Sequence, residues 1–212
     1  MLDNNLSDVH AVLLTHEHND HISGLDDIRP VNFRYKRNIP VYGQERSITE
    51  MKRRFGYVFD ENYAYAAKPR IEPVIIGPEA FSIGDLRITP VPVDHGDMTV
   101  YGYRIGDFAY VTDAKRIPPE SMQLLQDLDV LVLNALRHKA HESHLNFKEA
   151  IALSQQLRPR QTYLTHISHE AGRHTAVSAG FPEGIDLAFD GMHITLPQNV
   201  SMVTNEEASE RS

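Results

Sequence analysis

The feature that most limits what this chain can become is a six-residue run, His16-Glu17-His18-Asn19-Asp20-His21, in which three imidazoles and the Asp20 carboxylate are four potential metal ligands. Residues 9–15 (VHAVLLT), rich in β-branched residues and leucine, predict a buried strand that the polar run cuts off. In a loop past a strand end, alternate side chains converge on one side while Asp20 and His21 turn to an adjacent point. One short segment can therefore feed two metal centres. A lone histidine reads as a core or surface residue, whereas four such groups at this spacing have little structural purpose of their own. The sequence contains no cysteine, so disulfides and thiolate metal sites are excluded. Imidazoles and carboxylates are then the only ligands for a transition metal. The twelve histidines also cluster, with three at 16–21, three at 138–144 and three at 166–174.

The rest of the chain alternates short apolar runs with polar loops, and no repeat sets a solenoid or propeller period. Residues 24–28 predict a short helix ended by Pro30, residues 39–42 (IPVY) a strand, and residues 48–55 a helix capped by Ser47 with Glu50 three residues on. Residues 57–70 read as an aromatic, partly basic loop. Two hairpins turn at Gly84-Asp85 (81–83 with 86–93) and Gly106-Asp107 (100–105 with 108–112), and their second strands end at His95 and Asp113 or a neighbour. A helix over 118–128, a buried strand over 129–136 (DVLVLNAL) and an amphipathic helix over 146–157 with Asn146 as N-cap and Glu149 behind it follow. Strands over 161–165 and 187–196 flank a loop holding His166, His169 and His174. The order, hairpins among βα units, indicates a mixed α/β layered fold, with one domain over 1–197 and a disordered polar tail over 198–212.

Composition narrows the function. The chain of 212 residues carries a formal charge of -8, the wrong sign for a broad nucleic-acid-gripping face. No apolar run approaches the roughly twenty residues that cross a bilayer, and the N-terminus lacks the basic and apolar regions of a secretory signal. A cytoplasmic location is the default expectation. Two divalent cations, less two carboxylates and a hydroxide, leave about one positive charge to draw an anion, and such a pair lowers the pKa of bound water to about 7. A phosphodiester suits that residual charge. Zinc suits the donor set first, with Mn2+ or Fe2+ as alternatives.

The stretch THEHNDHISGLDD resembles the signature loop of the metallo-β-lactamase superfamily, and the later marks follow in order as PVPVDH, YVTDA and TYLTH. The resemblance implies an αββα sandwich. It also implies that His16, His18 and His95 hold one metal, that Asp20, His21 and His166 hold a second, and that Asp113 bridges them. The runs LVLNALRHKAHESHLNFKEAI, YLTHISHE and LAFDGMHI resemble the phosphodiesterase branch that contains PhnP, with the ribonuclease Z group a more distant relative. That branch implies a general acid between the bridging Asp and the last ligand. His144 is the first choice, His141 the second and His138 the third, and Asp20 is assigned to catalysis alongside its ligand role. A histidine suits that task because it titrates near neutrality.

The expected substrate is therefore a small cyclic or nucleotide-like phosphodiester. A thioester or lactam hydrolase on the same metals and a non-catalytic remnant stay open. Asp190 in the FDG turn is read as orienting a ligand histidine. His169 is read as lining the site or as surface, and Asp26, Asp27 and Arg29 as loop-steadying or substrate-touching groups. The strip Phe33, Arg34, Tyr35, Lys36 and Arg37 is read as solvated surface. The chain lacks the upstream segment and cysteines expected of the branch. It is thus expected to be N-terminally truncated, to gain stability on extension, and to associate, as a homodimer first, through exposed strand edges.

Overall fold

A computed structural model describes residues 7–63 and 67–196, and the tail expected over 198–212 lies outside them. The chain divides into two compact units, Met1–Gly77 and Pro78–Ser212, each with its own core.

In the first unit, β1 (Val12–Leu13) is followed by α1 (Asn19–Ile22), a 3-10 turn (Ser23–Ile28) and α2 (Arg29–Tyr35). Next come β2 (Ile39–Gly43), α3 (Glu45–Arg54), α4 (Gly56–Phe59) and β3 (Ile71–Ile75). The three strands form a parallel sheet in the order β1-β2-β3, with Val12 opposite Val41 and Ile39 opposite Ile71. Parallel neighbours require crossovers, which the helices supply. Leu14, Ile22, Ile39, Val41, Ile48 and Met51 fill the core beneath them.

Three local expectations are corrected here. Pro30 does not end a helix: it sits in the first turn of α2, where its missing N–H costs nothing, and Lys36 at φ 52° ends that helix. Ser47 does not cap α3, which begins two residues earlier, because its fully buried hydroxyl donates to Glu17 instead. The strand expected over 9–15 is ordered as a strand only at Val12–Leu13, since β1 lies at an edge where, among the described residues, β2 alone pairs with it.

The second unit holds β4 (Phe81–Ile83), β5 (Leu86–His95), β6 (Met98–Ile105) and β7 (Phe108–Val111), then α5 (Pro119–Leu124), β8 (Val130–Asn134) and α6 (Phe147–Leu157). It ends with β9 (Gln161–Thr165), a 3-10 turn (His169–Ala171), α7 (His174–Ser178) and β10 (Ile185–Leu187). Its seven strands lie in sequence order in one sheet, antiparallel from β4 to β7 and parallel from β7 to β10. The two expected hairpins form, and a third two-residue turn, Gly96-Asp97, joins β5 to β6, with His95 opposite Met98. All three turns place glycine first at positive φ, where a residue without Cβ is needed. Every residue of β8 is buried, as a strand covered on both faces requires.

The helix over 118–128 stops at Leu124, and Asp127 at φ 55° redirects the chain into β8. The strand expected over 187–196 is confined to Ile185–Leu187, the chain then turning through Gly191 at φ 82°. The Asn146–Glu149 capping box of α6 forms as expected.

Gly102 in β6 permits a close strand approach: a Cβ there would lie 2.8 Å from the Tyr110 carbonyl oxygen and 3.0 Å from Val111 Cγ2. Gly102→Ala is expected to destabilise the chain by about 1–3 kcal/mol, read as a lowered urea midpoint with unchanged slope. An unchanged midpoint would show that β6 and β7 separate at little cost. Among the described residues no helix is long and apolar enough to cross a membrane.

Candidate functional site

Each unit brings part of the expected ligand set together. In the first, the chain leaves β1, bends at Thr15 and is extended at His18 before α1 begins, and His16 and His18 come together. His16 is fully buried, Thr15 Oγ1 lies 3.1 Å from its Nδ1, and its Nε2 is 3.0 Å from His18 Nδ1. The His21 ring packs on His16 at 4.2 Å, and His21 Nε2 lies 3.2 Å from Asp20 Oδ2. Imidazoles packed this tightly repel one another once protonated, whereas neutral rings that share a cation do not. The donor set, all nitrogen and carboxylate oxygen, therefore fits divalent metal.

In the second unit, His95 ends β5, Asp113 follows β7 and His166 follows β9, and the three strands run in the same direction. Their C-terminal ends thus lie at one end of the sheet, where open α/β sheets bind ligands. Asp113 is 2% exposed and sits at φ 58°, a conformation Asp tolerates better than most residues. Its Oδ1 lies 2.8 Å from His144 Nε2 and 3.4 Å from His166 Nε2, and its Oδ2 accepts from Thr112 Oγ1 at 2.7 Å. His95 donates from Nδ1 to the Ser143 carbonyl at 2.8 Å, which fixes its tautomer and leaves Nε2 as a ligand atom. Donor atoms of His95, Asp113 and His144 lie within 4.8 Å of one another, so this trio also fits a metal.

The three candidates for the general acid separate in space. His144 stacks on His166 at 5.0 Å and touches Asp113. His141 stands behind it, Nδ1 to Nδ1 at 3.1 Å, and burial first, then the neighbouring His144 and Arg137, holds its imidazole below the usual range. His138 packs on Phe147 at 4.9 Å. His169 and Asp190 are exposed. Asp26 accepts from the Tyr57 hydroxyl and lies 3.9 Å from Arg29, whose guanidinium donates to the Ala67 carbonyl. Burial and that carboxylate push the Tyr57 phenol up to about 12. These contacts brace the loop after α1, while Asp27 is exposed. Arg34 and Arg37 both lie over the Tyr35 ring, and Arg37 also pairs with Asp8, a strip satisfied within the surface itself.

Sequence reasoning missed Asn134. Fully buried at the end of β8, it accepts from the Ala114 N–H at 2.8 Å and donates to the Ala114 carbonyl at 3.0 Å. Its amide thereby acts as one more strand residue and pins the backbone directly after Asp113. The one available signal was a polar residue closing an otherwise apolar strand. Asn134→Ala is expected to cost about 1–3 kcal/mol for each backbone group left unpaired, seen in denaturation of the chelated protein. A midpoint equal to the parent's would remove Asn134 from this role.

Residues 2–167 match the family described as the Beta-lactamase superfamily domain. The chain belongs to that superfamily, with the metallo-β-lactamase fold, and so to a class of metal-dependent hydrolases. A crystal structure of a diphosphatase from the PhnP family is similar, at 37% identity over 90% of this chain and 72% of that one, with a TM-score of 0.82. Within the superfamily the chain thus falls in the PhnP family. The metallo-β-lactamase fold protein YhfI of Bacillus subtilis shares the fold, with a TM-score of 0.64 at 20% identity over 85% of this chain and 74% of that one. An octanoyltransferase of Porphyromonas gingivalis (strain ATCC BAA-308 / W83) is 34% identical over 190 residues, which are 89% of this chain. The chain spans only 38% of the length of that curated relative.

Proposed function

We propose that the chain is a phosphodiesterase acting on a small cyclic or nucleotide-like phosphodiester, with two divalent metals, zinc first, held by His16, His18, Asp20, His21, His95, Asp113 and His166. The observation that carries this reading is the second imidazole on the buried Asp113 carboxylate. On this reading His166 is a metal ligand, as the family resemblance implies, and His144, on the same carboxylate, is the proton donor beside it. When bound, the metals acidify a water and polarise the phosphoryl oxygens. His144 would pass its Nε2 proton, which faces Asp113 Oδ1 before substrate arrives, to the departing alkoxide, while Ser143 Oγ 3.0 Å from Nδ1 orients the ring. The substrate is a small molecule rather than nucleic acid, in keeping with the acidic charge.

A second reading, cleavage of a diphosphate bridge, is favoured by the name of the PhnP-family neighbour. It uses the same residues with a phosphate as leaving group. The test is turnover of bis(p-nitrophenyl) phosphate against nitrocefin and an acyl thioester, before and after chelation. Cleavage of only the last two would refute the phosphodiesterase reading. The thioester arm also asks whether the octanoyl-transferring relative shares acyl chemistry with this chain.

A further inference from the structure

In the ligand loop His16–His21, the residues His16, His18, Asp20 and His21 are candidate ligands, and Glu17 and Asn19 between them are not. Both of those intervening side chains end on α3. Glu17 is 12% exposed in its side chain, and its carboxylate accepts from the fully buried Ser47 hydroxyl at 2.9 Å through one oxygen and pairs with Arg46 Nε at 2.7 Å through the other. Asn19 accepts from Arg54, whose own Nε is held by Glu50 at 2.6 Å. Ser47, Glu50 and Arg54 are spaced three and four residues apart, so they present one face of the helix. The same helix is anchored by the buried Ile48 and Met51, which gives the loop a rigid backing.

We propose that α3 is a clamp on the metal-holding loop, with Glu17 and Asn19 as positioning residues that grip the helix so that His16 and His18 present their ring nitrogens on the opposite side. The physical reason lies in the contacts: Glu17, between the two histidines, is held on α3 by Ser47 and Arg46, while the rings of His16 and His18 meet each other at 3.0 Å, and Asn19 ties the first turn of α1 to the same helix. A site gains affinity when its ligands are held in place before the metal arrives, because that ordering then need not accompany binding. Ser47 explains itself on this account, since a buried hydroxyl at this helix position has been diverted from capping to hold the loop.

This inference rests on the proposed metal role of the loop, and its test separates the two. Zinc affinity is measured by competition with a chromophoric chelator for the parent chain, Glu17→Ala, Glu17→Gln and Ser47→Ala, alongside amide hydrogen exchange over residues 14–22 and melting temperature in the metal-free state. Expected is a loss of about 10–100-fold in zinc affinity for Glu17→Ala, with faster exchange in the loop. Glu17→Gln is expected to recover part of that loss, because it keeps an acceptor for Ser47 but not the ion pair with Arg46. A merely structural role would lower the metal-free melting temperature and leave the zinc affinity of the folded protein unchanged, and that result overturns the proposal. If the parent takes up no zinc, the metal reading fails by itself, and loop exchange still decides the clamp: parent-like exchange in Glu17→Ala overturns it. Should Glu17→Ala not fold, Ser47→Ala, which removes a single hydroxyl, carries the same comparison.

Discussion

Asp113→Ala is expected to lose bound metal and to cut kcat/KM by at least about a thousandfold, the equivalent of several kcal/mol of charge stabilisation. Asp113 is the negative group about which the histidines of the second unit are arranged. Its carboxylate is almost wholly buried, one oxygen faces two imidazoles and the other is tied down by Thr112. Alanine removes that charge and leaves His144 and His166 without the acceptor that orients them. The left-handed backbone at this position adds strain for alanine, so Asp113→Asn, which keeps the shape and removes the charge, is the companion variant. Metal content by elemental analysis checks the result. Full occupancy in both variants would exclude Asp113 as a ligand.

His144→Ala is expected to keep its metal and lose about 10^2–10^4 in kcat on substrates with alkoxide leaving groups, while p-nitrophenolate esters fall far less. The difference arises because a good leaving group departs without a proton, whereas an alkoxide does not. The contact with Asp113 alone does not distinguish an acid from a ligand, since His144 also lies within the His95–Asp113–His144 donor cluster. The paired readout does. Loss of metal makes His144 a ligand, and equal losses on both leaving groups remove it as the proton donor. If only His141→Ala shows the leaving-group dependence, the role passes to His141.

What could be read from the sequence was mostly local. Strand ends followed by His or Asp, the Asn146–Glu149 capping box and two of the Gly-Asp turns depend on residues a few positions apart, and each formed as expected. The third Gly-Asp turn carries the same signal at 96–97, but strands read as 86–93 and 100–105 leave it between them, whereas β5 runs on to His95 and β6 starts at Met98, which makes it a two-residue turn. Where contacts are long-range, local rules failed. Ser47 looks like a cap until Glu17, thirty residues earlier, takes its hydroxyl. Asn134 looks like a chance polar residue until the sheet sets it beside Ala114, twenty positions away. The strand over 187–196 is displaced for a related reason: among the described residues β9 pairs with Ile185–Leu187, of which only Leu187 belongs to that run.

The two histidine–aspartate clusters are proposed to serve metal-dependent phosphodiester hydrolysis. The most direct test is metal content of the purified chain after incubation with zinc, paired with bis(p-nitrophenyl) phosphate turnover before and after chelation. About two metals per chain, with turnover that is lost on chelation and restored by zinc, is the predicted result. A chain that takes up no metal, or one whose turnover survives chelation, would contradict it.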